Sequence, residues 1–106
     1  MANALGYVNE KEDGFEGTLS MMSLSAPIRI VKNAEKETDS QPDYRVYAGR
    51  RGADIGGGWI RKAKSSGRDY VSLTLADPAF GRKIYANLAP VKGEDGRCVI
   101  LWNPRD

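Results

Sequence analysis

Apolar and polar residues alternate along most of this chain with a period of two, the spacing that sends successive side chains to opposite faces of an extended strand. The clearest case is 69–75, where Val71, Leu73 and Leu75 share one face and Tyr70, Ser72 and Thr74 the other. In 15–21, Phe15, Gly17, Leu19 and Met21 alternate with Glu16, Thr18 and Ser20. Strands are also expected at 5–10, 25–32 (Ile28 and Ile30 against Arg29), 44–48, 55–63, 82–88 and 97–102, with Pro27 suited to an edge or a strand start. Turn chemistry separates them: Lys11-Glu12-Asp13-Gly14, the basic turn 49–52, Ser65-Ser66-Gly67, Asp77-Pro78-Ala79-Phe80-Gly81, and Asp95-Gly96, a favoured hairpin dipeptide. Segment 33–43 (NAEKETDSQPD) is polar, acidic and closed by proline, and reads as a loop or a mobile hairpin tip. A helical period is hard to find. About eight short strands at this spacing predict an all-β domain, a small barrel or sandwich of mostly antiparallel strands with meander or Greek-key connections.

At 106 residues the chain is expected to form one domain over 1–106. A domain of this size buries roughly two-thirds of its unfolded surface, enough for a real core. Histidine is absent and Cys98 is the single cysteine. That excludes an internal disulfide, a structural zinc site within one chain, and nucleophilic sites that need a histidine base. Cys98 alternates with Ile100 and Trp102 and reads as a small buried hydrophobe. Asp69 and Asp77 would stand at opposite ends of a strand roughly 25 Å long, too far apart for acid–base work, so turn capping accounts for them. No enzymatic activity, metal or cofactor is expected. The apolar stretches fall far short of the ~20 residues that span a bilayer, and no export signal is visible at the N-terminus. With one cysteine and no membrane segment, a cytoplasmic location is expected.

Charge is distributed unevenly. Residues 1–43 carry net −4 and residues 44–106 net +6, so the total of +2 hides a dipolar chain. Between 44 and 68 stand seven bases (Arg45, Arg50, Arg51, Arg61, Lys62, Lys64 and Arg68) and the single acid Asp54. They are interleaved with Tyr44, Tyr47 and Trp59. If the aliphatic faces point inward, Arg45 with Tyr47, Trp59 with Arg61, and Tyr70 remain outside. Cations beside exposed rings suit single-stranded nucleic acid, where charges neutralise phosphates and each stacked base contributes about 1–3 kcal/mol. The same aromatic residues could instead fill a barrel rim with their polar tips wet. Gly56-Gly57-Gly58 lacks the Lys-Ser/Thr and helix of a phosphate loop, and reads as a bulge or a close backbone approach in a curved sheet.

Several ordered motifs resemble a small bacterial family, the domain of unknown function 736. They are Asp13-Gly14-Phe15-Glu16-Gly17-Thr18-Leu19, Pro42-Asp43-Tyr44-Arg45-Val46-Tyr47, Ile55-Gly56-Gly57-Gly58-Trp59, Asp69-Tyr70-Val71-Ser72-Leu73 with Asp77-Pro78, Ile84-Tyr85-Ala86-Asn87-Leu88, and Ile100-Leu101-Trp102. Gly57 and Gly58 stand where that family usually has alanine, and Ala76 where it usually has an acid. The resemblance implies a small soluble protein encoded near plasmid or integrative-element genes in proteobacteria, with no established activity and no accepted catalytic residues.

The expectation is therefore a non-enzymatic cytoplasmic binding protein. Its nucleic-acid-binding residues would be Arg45, Arg50, Arg51, Arg61, Lys62 and Arg68 on phosphate, with Tyr47, Trp59 and Tyr70 stacking. The alternative is a protein-binding inhibitor or adaptor that blocks a host defence nuclease, of the anti-CRISPR or anti-restriction type. It would use Glu35, Glu37, Asp39 and Asp43 to imitate phosphate or to dock on an arginine-rich channel. A third option is self-association through an exposed strand edge.

Overall fold

The structure, a computed structural model, describes residues 3–21, 24–77 and 82–102. Eight strands follow in order: β1 (Asn3–Lys11), β2 (Gly14–Met21), β3 (Leu24–Lys32), β4 (Tyr44–Ala48), β5 (Ala53–Lys62), β6 (Asp69–Leu75), β7 (Ile84–Pro90) and β8 (Arg97–Trp102). Each pairs antiparallel with the next, and β1 pairs with β8 through Tyr7↔Val99 and Val8↔Cys98, so the sheet closes on itself. The all-β expectation holds, and of its two forms the barrel is the one adopted, with meander rather than Greek-key connections. Closure gives each described strand a neighbour on both sides.

The inward faces are those the alternation predicts. Val8, Leu19, Ile30, Val46, Leu73, Leu75 and Ile100 are 0% exposed, and Ile28 is 1% exposed. Burying each such side chain contributes about 1.5–3 kcal/mol. Phe15 and Tyr44 meet near one end of the barrel, ring centroids 6.0 Å apart and tilted by 57°. Cys98 packs partly buried against the core, and burial raises its thiol pKa, with Glu10 adding to the effect.

Coiling a sheet into so small a barrel brings some backbones closer than a side chain allows. A Cβ on Gly17 would stand 1.9 Å from the carbonyl oxygen of Tyr7. One on Gly56 would stand 1.9 Å from that of Thr74. The glycine triplet divides its tasks. Gly56 permits this approach beside a register shift opposite Val46 and Tyr47, and Gly58 leaves room for Leu73 and Val71 in the core. Gly57 faces outward, where Pro42 lies over it.

β7 begins two residues later than expected. Its pairing with β8 runs on to Pro90↔Cys98, and Arg82 and Lys83 stay in the connection before it, exposed. Residues 78–81 of the turn expected there lie outside the described residues, as do Met22 and residues 103–106. In a meander, alternate connections share an end. The turn 49–52 and the connection after β6 therefore lie at one end, and segments 33–43 and 63–68 at the other.

Candidate nucleic-acid interface

The ladder β3–β4–β5–β6 sets which side chains share the outer wall. Arg45 pairs with Gly57 and Gly57 with Thr74, so this row faces outward while Tyr44, Gly58 and Leu73 face inward. On the outer wall the structure collects Arg45 and Tyr47 from β4, Trp59 and Arg61 from β5, and Tyr70 from β6, the last directly opposite Arg61. The other expected site residues lie beyond this wall. Arg50 and Arg51 form the turn at one end; Lys62, paired with Asp69, and Arg68 lie at the other, with Lys64. The sequence cluster is thus two exposed basic ends joined by an aromatic wall, about 30 Å apart along the ten residues of β5.

The middle of that wall is already engaged. Arg45 forms an ion pair with Asp54 through Nη2 and Oδ2, both side chains 41% exposed. Bonding to Asp54 raises the arginine pKa further. Tyr47 carries the Arg29 guanidinium 5.7 Å from its ring centroid, a cation–π contact. Trp59 is half-buried and donates its indole Nε1–H to the carbonyl oxygen of Ser40 at 3.2 Å.

That bond belongs to a larger arrangement, and of the loop or mobile hairpin tip expected at 33–43 the loop is the form adopted. The segment is a bonded loop folded down over β5. Asp43 donates its backbone N–H to Gly58 O at 2.8 Å. Its Oδ2 accepts from Ile60 N–H at 2.8 Å, and its Oδ1 meets Lys36 Nζ at 2.5 Å. The Ile60 N–H first, and the Lys36 ammonium next, hold the Asp43 carboxyl below the ordinary carboxylate range. Asn33 Nδ2 donates to Pro42 O at 3.0 Å, and Gln41 Oε1 accepts from the N–H groups of Glu37 and Thr38. The physical reason is that Asn, Gln and Asp side chains supply the backbone partners this irregular segment would otherwise lack. Glu35, Glu37 and Asp39 remain exposed on the loop.

The ion pairs among the described residues are Lys36–Asp43, Arg45–Asp54 and Arg97–Glu94. Arg50, Arg51, Arg61, Lys62, Lys64 and Arg68 are all exposed and belong to none of them. Arg82 and Lys83 join Arg50 and Arg51 at the same end, and Arg29 reaches beneath the turn, its Nη2 3.7 Å from where a Gly52 Cβ would stand. Sequence reasoning missed these three. The meander order would have placed the first two, since alternate connections must share an end. Asp69 begins β6 and Asp77 lies beyond its far end, so the two do not converge. Among the described residues no three Cys, Asp or Glu side chains come together as a metal site, and no helix is long and apolar enough to cross a membrane.

A family model described as "Protein of unknown function (DUF736)" matches residues 4–105. Comparison with curated proteins and with solved structures found no match.

Proposed function

The chain belongs to the DUF736 family of proteins of unknown function, and from that starting point we propose that it is a non-enzymatic protein that binds nucleic acid, single strands in preference, along the basic side of its barrel. The observation that carries this reading is that Arg50, Arg51, Arg61, Lys62, Lys64 and Arg68 are exposed and outside every described ion pair. Cations outside an ion pair displace the counterions condensed on phosphate, and this drives most non-specific affinity; of the six, Arg61 also helps lower the Asp43 carboxyl and Lys62 stands in register with Asp69, so Arg50, Arg51, Lys64 and Arg68 are the freest. Tyr70, half-buried opposite Arg61, supplies a ring next to a cation. Arg45 is paired with Asp54 and so adds no free cation for phosphate, and Trp59 stacks only after giving up its bond to the loop. The setting proposed with this function is the bacterial cytoplasm and a plasmid or other mobile element, in line with the family resemblance.

The test is fluorescence anisotropy with labelled single- and double-stranded oligonucleotides at about 50 and 200 mM salt, where phosphate contacts lose strength steeply. Micromolar or tighter binding that prefers single strands and weakens with salt is expected. Absence of binding at the lower salt would reject the reading.

The bonded loop favours a second reading. Lys36, Gln41 and Asp43 hold it in one shape, leaving Glu35, Glu37 and Asp39 exposed as a fixed acidic surface for an arginine-rich channel of a defence nuclease. Co-purification of a nuclease subunit, lost on charge reversal of these three acids in a chain without affinity for free DNA, would support it over the first.

A further inference from the structure

The loop 33–43 does not lie flush on the wall beneath it. Between its Asn33 and Pro42 and the outer face of β3–β5 runs a groove of about 630 Å³, floored by Arg45, Tyr47 and Asp54. That volume falls within the range of about 300–1,000 Å³ typical of small-ligand sites. The lining charges balance, Lys32 and Arg45 against Glu35 and Asp54, so the groove attracts neither a bare anion nor a cation. Its interior suits a neutral, planar, polar group.

Arg45, opposite Gly57, and Asp54, opposite Tyr47, reach each other diagonally across adjacent strands and present donors next to acceptors. A guanidinium has five N–H groups and a carboxylate about four lone-pair sites. Their mutual bond and the Gly56 N–H on Asp54 Oδ1 at 3.3 Å use only part of these. The edge of guanine is the complement: acceptor O6 lies beside two donors, N1–H and N2–H, and arginine to O6/N7 is a common base contact. The Tyr47 ring and the Pro42 side chain give the groove apolar surface for a base. Past the groove floor the ladder runs from Tyr47↔Asp54 through Ala48↔Ala53 into the turn of Arg50 and Arg51, two exposed cations outside the groove's lining but on the same hairpin as its floor.

We propose that this groove receives a nucleobase of the bound strand, guanine first, with Arg45 and Asp54 reading its hydrogen-bonding edge and Arg50 and Arg51 holding its phosphate. The inference rests on the nucleic-acid reading but is separable from it. The experiment is an amide-resolved NMR titration of the full chain with the 5′-monophosphates of guanosine, adenosine, cytidine and uridine, and with ribose 5-phosphate as a baseless control. The guanosine nucleotide should shift the amides of Asn33, Arg45, Tyr47, Asp54 and Gly56, bind about tenfold tighter than the weakest of the others, and leave the control confined to the turn 49–52. Asp54→Asn, an exposed position whose folding the same spectra verify, should abolish the preference and keep the control's shifts. Groove amides that respond no differently to the nucleotide and to the control, or a preference that survives Asp54→Asn, would overturn the proposal. Either result would leave oligonucleotide affinity standing. Groove shifts in a chain that binds no oligonucleotide would uphold the groove and reject the polymer reading alone.

Discussion

Strand β4 is flanked by two connections that carry opposite charge and use their side chains in opposite ways. Segment 33–43 turns its polar groups inward on itself and on β5: Asn33 bonds Pro42, Gln41 bonds two amides, and Asp43 bonds Lys36 and Ile60. The turn 49–52 is fixed by backbone alone, Gly49 N–H to Pro27 O at 2.9 Å and Gly52 N–H to Gly49 O at 3.1 Å. Positive φ at Gly49 and Gly52, 83° and 64°, makes that turn possible. Its side chains are therefore left over, and they are two arginines. Arg45 and Arg50 make the same point at close range. Both belong to the basic stretch, yet Arg45 has Asp54 beside it and Arg50 is exposed outside any described ion pair. What makes a cation available is the absence of an acid within reach, which residue type does not disclose.

Four variants probe this difference, and the barrel wall between the two connections sets the upper limit. Gly56→Ala pushes a methyl group into the Thr74 carbonyl, where only backbone can yield, and should cost about 3 kcal/mol or more in denaturant unfolding. Gly57→Ala, one residue on, meets side chains rather than backbone, Pro42 at 2.9 Å and the Trp59 ring at 3.4 Å. It should lift the loop at a cost of about 1 kcal/mol and leave the barrel folded, seen as a change in the Trp59 indole N–H signal. If both variants unfolded alike, the loop would be part of the wall.

Asp43→Asn should come next, at about 1 kcal/mol for a partly exposed charged hydrogen bond. Its pH dependence has a definite sign. The native pKa lies below the unfolded one, so the stabilisation is complete above about pH 3.9 and is lost as the pH falls through the lowered native value. Acid titration should therefore release the Trp59–Ser40 bond below about pH 4 and leave the turn 49–52 unchanged; in Asp43→Asn this step should be missing. The smallest effect on stability belongs to Arg50→Glu with Arg51→Glu, within about 0.5 kcal/mol, because the turn is held by backbone. The same pair should have the largest effect on nucleic-acid affinity.

Much of the wall was legible in the sequence, because a period of two is a local signal. Val71, Leu73 and Leu75 against Tyr70, Ser72 and Thr74 fix both the strand and its inner face. Gly56-Gly57-Gly58 likewise announced a close approach through its lack of side chains. What the sequence withheld is contact between distant segments. Closure depends on β1 meeting β8 across nearly the whole chain. The loop's grip depends on Trp59 meeting Ser40, and the engagement of Tyr47 on Arg29 from a neighbouring strand. None of these pairs leaves a mark in local periodicity. Of the nine residues named from sequence, Arg45, Tyr47 and Trp59 are therefore engaged in the wall, while Arg61 and Tyr70 on it and Arg50, Arg51, Lys62 and Arg68 at its two ends stay open.

The most direct test of this account compares the salt dependence of single-strand binding for the wild type, for Arg50→Glu with Arg51→Glu, and for Glu35→Gln with Glu37→Gln and Asp39→Asn, between about 50 and 200 mM salt. The arginine pair should lower affinity at least about tenfold at low salt and flatten the slope of log affinity against log salt by roughly two phosphate contacts. Neutralising the acids should leave the slope unchanged. An arginine double variant that binds like the wild type at both salts, or an acid triple variant that alone alters the slope, would contradict it and move the working surface of this protein to its loop.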